Sequence, residues 1–176
     1  MMQIQSLTLS NELDQFSHMR WVPNHEVTSI TNPITVDHTI LRQHLLPGLL
    51  KLLATNRHHD LPQSVYELGT VVRDHRNAER LAFITAERSG GFAAVRGRIQ
   101  ALCNDLGVKD WRAEPLEAGD GPWLAGRGAK ILIGETWVGC FGELDPAVSS
   151  VYELRVPLNA AELDVDALMA AVSDPV

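Results

Sequence analysis

Leucines at positions 45, 46, 49, 50 and 53 recur at the spacing of one helix face and mark the clearest element of the chain. Pro47 would break a helix interior, so the helix is expected to open just before it, with the proline in the first turn, and to run to about Asn56. A loop follows at His58-His59-Asp60-Leu61-Pro62. Residues 64–73 are rich in Val, Tyr and Thr and read as a strand. Residues 81–87 read as its antiparallel partner, across a short polar turn at 74–80. Ser89-Gly90-Gly91 opens a second helix, with Phe92, Val95, Ile99, Leu102, Cys103 and Leu106 on one face, and Gly107 stands where a helix stop favours positive φ.

The flanking segments are less regular. Residues 3–9 alternate apolar and polar side chains, which suits an edge strand, and 11–23 read as irregular or short helical chain. Residues 26–30 read as a strand ended by Asn32-Pro33, since the residue before proline is pushed out of helical space. A strand is expected at 111–114 and a glycine-rich loop at 117–128. Residues 129–133 and Thr136–Leu144 form a hairpin turning at Gly134-Glu135. Asp145-Pro146 reads as an N-cap followed by a first-turn proline. Residues 152–158 read as a strand continuing toward Glu162. Asp164 caps a last helix carrying Val165, Leu168, Met169 and Val172. The pattern predicts an α+β fold: a mostly antiparallel sheet flanked by helices, in one domain over residues 1–176.

Composition adds exclusions. The net charge of −7 opposes an independent nucleic-acid binder, whose affinity usually comes from basic residues on phosphates. No apolar run approaches the ~20 residues of a membrane span, and the first residues lack a signal-peptide pattern. Cys103 and Cys140 form no Cys-x-x-Cys pair and read as reduced thiols of a cytoplasmic protein.

The chain also carries a series of ordered segments. Thr31-Asn32-Pro33-Ile34-Thr35 precedes Leu41-Arg42-Gln43-His44-Leu45-Leu46-Pro47-Gly48-Leu49-Leu50. Ala54-Thr55-Asn56, Leu61-Pro62 and Val65-Tyr66-Glu67-Leu68-Gly69-Thr70-Val71-Val72-Arg73 follow. Ala82-Phe83-Ile84-Thr85 leads to a helix ending at Leu106-Gly107. Gly139-Cys140-Phe141-Gly142-Glu143-Leu144-Asp145-Pro146 and Ala161-Glu162-Leu163-Asp164 close the series. In this order, over roughly Gln3 to Leu168, they resemble the beta subunit of archaeal/eukaryotic-type phenylalanyl-tRNA synthetase. The family's beta chain is much longer, so the resemblance implies that this sequence is its last portion. The editing domain and the residues assigned to magnesium belong to the missing part and are not carried over.

The resemblance implies a non-catalytic version of the class II synthetase core. Its partner would be the catalytic alpha subunit of a heterotetramer that acts on tRNA(Phe), with ATP and magnesium used by the complete enzyme and no cofactor held here. A domain cut from such an assembly is also expected to self-associate. Arg73 falls at the first phosphate-binding arginine of the class II pattern. The second arginine motif is missing, because residues 152–172 contain no glycine and no arginine beyond Arg155. Arg73 is therefore read as a vestigial phosphate-binding position, a strand-end charge paired with a nearby carboxylate. The rival reading is a stand-alone amino-acid or nucleotide binding module on the same core. His58-His59-Asp60 is read as solvated loop, because adjacent histidines in extended chain point apart and no further ligand set accompanies them. Gly119, Gly121, Gly126 and Gly128 lack the lysine and the strand–glycine–helix order of a phosphate cradle. No catalytic and no metal residue is expected.

Overall fold

The computed structural model describes residues 1–172. Its frame is a hairpin of two eleven-residue strands, β4 (Gln63–Arg73) and β5 (Arg76–Ala86). They are joined by Asp74 and His75, both at positive φ (50° and 59°). This two-residue left-handed turn matches the twist of paired strands. Neither residue is glycine. The cost is offset because the Asp74 carboxylate accepts from the Glu26 backbone N–H and pairs with His25, each at 2.8 Å.

A second hairpin joins β7 (Trp123–Ile133) to β8 (Thr136–Leu144), turning at Gly134 with φ +57°. Strand β9 (Leu158–Asp164) lies between the hairpins, pairing β5 on one side and β8 on the other. With the edge strands β1 (Met2–Gln3) and β6 (Trp111–Pro115), the order is β1-β4-β5-β9-β8-β7-β6. All neighbours are antiparallel except β1 and β4. The short strands β2 (Leu9–Ser10) and β3 (Ile40–Leu41) form a separate ribbon.

Helices cover both faces of the sheet. Helix α1 (Leu46–Thr55) lays Leu45, Leu46, Leu49, Leu50 and Leu53 on Val65, Val71, Ile84 and Ala160. Each such leucine contributes about 1.5–3 kcal/mol on leaving water. Helix α2 (Phe92–Asp105) and helix α4 (Val165–Ala170) cover the other face, where Val95, Ile99, Cys103 and Leu168 pack on Phe83, Ile131, Phe141 and Leu163. Helix α3 (Pro146–Ser149) is a single turn capped by Asp145, whose carboxylate accepts from the Ala147 N–H at 2.8 Å. Asp164 caps α4 through the Ala167 N–H at 2.9 Å. Among the described residues, no helix is long and apolar enough to cross a membrane.

Several sequence expectations need correction. The single strand at 3–9 is two short pieces, because the chain leaves the sheet edge where Ser6 turns to bond Glu67. The strand at 26–30 reduces to one bridge, Ser29 to Ile40. The polar turn at 74–80 is only two residues long, and the polar run after it is strand β5. The glycine-rich loop ends early, because β7 starts at Trp123 with a register shift before Gly128. The strand at 152–158 begins only at Leu158: Ser150–Tyr152 is a 3₁₀ turn and Glu153 is left-handed at φ 56°.

Candidate functional site

Strand register places Glu67, Ala82, Glu162, Cys140 and Lys130 side by side on β4, β5, β9, β8 and β7. Ala82 and Cys140 pack in the same cluster as the α1 leucines, so this row lies on the α1 face. The leucines close one part of that face, and buried charges occupy the rest. Glu67 is fully buried and pairs with Arg42 at 2.8 Å. Ser6 donates to Glu67 from its hydroxyl, and Arg42 also donates to the Thr70 carbonyl at 2.9 Å. Gly69 makes this possible, since a Cβ there would lie 2.7 Å from the guanidinium.

Glu162 holds the start of α1. Leu45 occupies the N-cap position and its side chain offers no acceptor. The Glu162 carboxylate reaches across from β9 and accepts from the backbone N–H groups of Leu45 and Leu46, each at 3.1 Å. Carboxylates are favoured at helix N-termini, where unpaired N–H groups converge. The preceding amides are also engaged: Gln15 Oε1 accepts from Gln43 N and His44 N, and the Thr8 carbonyl accepts from Arg42 N. His44 Nδ1 lies 3.2 Å from Glu162 Oε1, and its ring stacks on Trp21 at a centroid distance of 3.9 Å. Trp21 fits there because Gly121, at φ +80°, leaves space that a Cβ would take from the indole.

Arg73 donates from Nε and Nη2 to the Gln43 carbonyl at 3.1 and 2.9 Å. Its partner is thus a backbone carbonyl, not the carboxylate expected from the sequence. The Gln43 carbonyl is held in place beside the network that orders the α1 start, so Arg73 had a neutral acceptor within reach. Nη2 also lies 3.3 Å from His44 Nδ1. One imidazole nitrogen cannot donate to Glu162 and accept from Arg73 together. The charged acceptor takes the N–H, which leaves Arg73 to the carbonyl. Arg80 is 2% exposed, lies 3.4 Å from Asp164 and sits 5.5 Å over the Trp137 ring.

Burial would raise the Glu162 carboxyl, but His44, Arg80 and the Leu46 N–H outweigh it and hold the group below the usual carboxylate range. Burial, reinforced by Glu162, pushes the Cys140 thiol up to about 12. It therefore lacks the thiolate that a nucleophile needs. The opening among Trp21, His44, Arg73, Arg80, Trp137 and Glu162 has a volume of about 140 Å³. Sites for small organic ligands usually enclose about 300–1,000 Å³. Arg73 Nε and Nη2 are held by the Gln43 carbonyl, and Arg80 is placed by Asp164 and the Trp137 ring, with its Nε buried and without a hydrogen-bond partner among the described residues, so the arrangement orders the helix start and strand ends.

The remaining candidates fall elsewhere. His58 and His59 do not point apart: they follow a turn in which His59 N–H bonds to Asn56 O, and their rings lie 4.3 Å apart. Gly126 and Gly128 belong to β7, and a Cβ at Gly128 would press on Trp123. The roles of Arg42, Glu67, Arg80 and Glu162 were not assigned from sequence. The available signal was a charge on the inward face of a strand: Glu162 lies within Leu158–Asp164, a strand otherwise almost wholly buried.

Fold and site define an α+β domain with a largely antiparallel sheet and a polar face closed by its own side chains. The chain matches the family model described as phenylalanyl tRNA synthetase beta chain CLM domain over residues 2–165. It is 35% identical to the phenylalanine–tRNA ligase beta subunit of Methanothrix thermoacetophila, over 93% of this chain and 30% of that one. For the same subunit of Archaeoglobus fulgidus the identity is 37%, over 92% and 29%. For that of Methanopyrus kandleri it is 34%, over 96% and 30%. The chain belongs to the phenylalanyl-tRNA synthetase beta-chain family, and it spans about 30% of the length of these relatives.

Proposed function

We propose that residues 1–176 form one non-catalytic, class II synthetase-like domain, a portion of a longer cytoplasmic beta subunit. In this reading it packs against the catalytic alpha subunit of a heterotetrameric phenylalanine–tRNA ligase. It supports charging of tRNA(Phe) at a site built by the other subunit. ATP and magnesium act there, and this domain holds neither.

The observation that carries the reading is the engagement of the polar sheet face by the chain itself. Glu162 caps α1 and Arg73 is bonded to the Gln43 carbonyl. Amino-acid activation needs donors aimed at charge that develops on the phosphates. Arg73 Nε and Nη2, already committed to the Gln43 carbonyl, are poorly placed for that. Residues such as Val22 and Ile34, 84% and 99% exposed, are side chains that an assembly would cover. Their exposure supports self-association of the isolated chain.

The test is phenylalanine-dependent pyrophosphate–ATP exchange by the purified chain, in preparations free of host synthetase. The expected result is background exchange. Exchange above background overturns the non-catalytic reading.

A further inference from the structure

A second cleft, of about 580 Å³, opens on the α1 side at the far end of β4 and β5 from Arg73. It lies between the C-terminal end of α1 and the turn that precedes β9. The fold leaves it open because two chain reversals flank it. Residues 56–62 leave α1 on one side, and on the other Glu153, left-handed at φ 56°, turns the chain away from the 3₁₀ turn. The floor is apolar: Leu53 and Leu154 are buried there, and Leu61 and Val156 pack partly exposed beside them.

The mouth is charged. Arg57 pairs with Glu153 at 2.9 Å, so that pair is neutral as a unit. Arg155 also lines the cleft and is exposed. Among the described residues it has no carboxylate within ion-pair distance. The result is one uncompensated guanidinium above an apolar floor, on a protein whose net charge is −7. The volume falls within the usual range of about 300–1,000 Å³ for small-ligand sites, which are mainly apolar with a few polar groups that fix orientation. A guanidinium matches a carboxylate through two parallel N–H···O bonds.

We infer that this cleft binds a small free carboxylate with an apolar body, its head held by Arg155 and its body laid on Leu61, Leu154 and Val156. Arg57 and Glu153 frame the mouth as a neutral pair. The inference is independent of the scaffold reading, because the cleft shares no lining residue with the opening at Arg73 and Glu162.

The experiment titrates the isotope-labelled full chain with octanoate, and in parallel with 1-octanol and acetate, following backbone amide shifts. The expected result is saturable shifts centred on Leu61, Ala86 and residues 150–156. Octanoate should bind at least about 10-fold more tightly than either control, since head and body both contribute. Arg155→Glu should weaken octanoate by about 10-fold or more and leave the rest of the spectrum unchanged, because the residue is exposed. A second variant, Arg57→Gln, frees Glu153 at the mouth and should weaken octanoate by a smaller factor. Octanol binding as tightly as octanoate overturns the inference. So does unchanged affinity in Arg155→Glu, absence of saturation, or shifts centred elsewhere. Saturation only by a peptide ending in an apolar residue and its carboxylate, with octanoate silent, also overturns it and points to a protein partner.

Discussion

The two faces of the sheet are built from the same strands in different ways. Under α2 and α4, Phe83, Phe141, Ala161 and Leu163 pack against Val95, Ile99 and Leu168 with no buried charge in that cluster. Under α1, the leucine core gives way along the strands to Arg42 with Glu67, and to Arg80, Glu162 and His44. The first face depends mainly on apolar area and shape, with one strand carboxylate, Glu143, accepting from the Phe92 N–H at the uncapped start of α2. The second depends on several buried charges, among them the Arg42–Glu67 pair and the Glu162 carboxylate that caps α1. A strand that places glutamate on an inward face departs from its own alternation. Such departures mark positions where a specific contact outweighs the cost of burial.

Removing the charge at the centre of the polar face should have the largest effect. Glu162→Ala leaves His44 Nδ1 and two helix N–H groups without their acceptor and should cost about 3–5 kcal/mol, read by denaturant unfolding. The apolar face gives the control. Ile99→Val should cost only about 0.5–1.5 kcal/mol, and that cost should not change with pH.

Acid separates the faces next. The folded-state Glu162 carboxyl titrates below its ordinary value of 4.5. Its stabilisation is therefore complete above that value and lost as pH falls through the lower folded one. Stability measured from pH 6 to pH 3 should fall, and Glu162→Gln should flatten part of that fall while Ile99→Val leaves it intact. The smallest effect concerns Cys140. With its thiol near 12, the thiolate fraction at pH 8 is about 10⁻⁴, so iodoacetamide should modify it far more slowly in the folded chain than in denaturant. Because Cys140 is partly exposed, fast modification of the folded chain would contradict the raised thiol pKa.

What was legible in the sequence follows the same division. The α1 stripe, the caps at Asp145 and Asp164, and the glycines at 107 and 134 are local signals, set within a few residues. All of them appear in the structure. The short hairpin at Asp74-His75 was hidden, because its left-handed residues are held by His25 and Glu26, almost fifty positions away. Four of residues 76–80 are polar and the run still forms strand, since β9 and Trp137 supply partners for Arg80. Arg73 was found as a position, and its partner was missed. A backbone carbonyl leaves no trace in a search for opposite charges. The sequence shows Glu162 only as part of Ala161-Glu162-Leu163-Asp164, because its two N–H donors belong to a helix more than a hundred residues earlier.

If the polar face serves the fold and not the chemistry, Arg73→Ala should spare catalysis in a phenylalanine–tRNA ligase assembled with the proposed catalytic subunit, with phenylalanine-dependent turnover counted per intact assembly. Turnover within about twofold of the parent is expected, with any loss confined to the yield of assembled complex. A phosphate-binding arginine behaves otherwise, because loss of one stabilising donor lowers turnover by about 10²–10³-fold. A hundredfold fall in correctly assembled complexes would contradict the account and place Arg73 in the reaction.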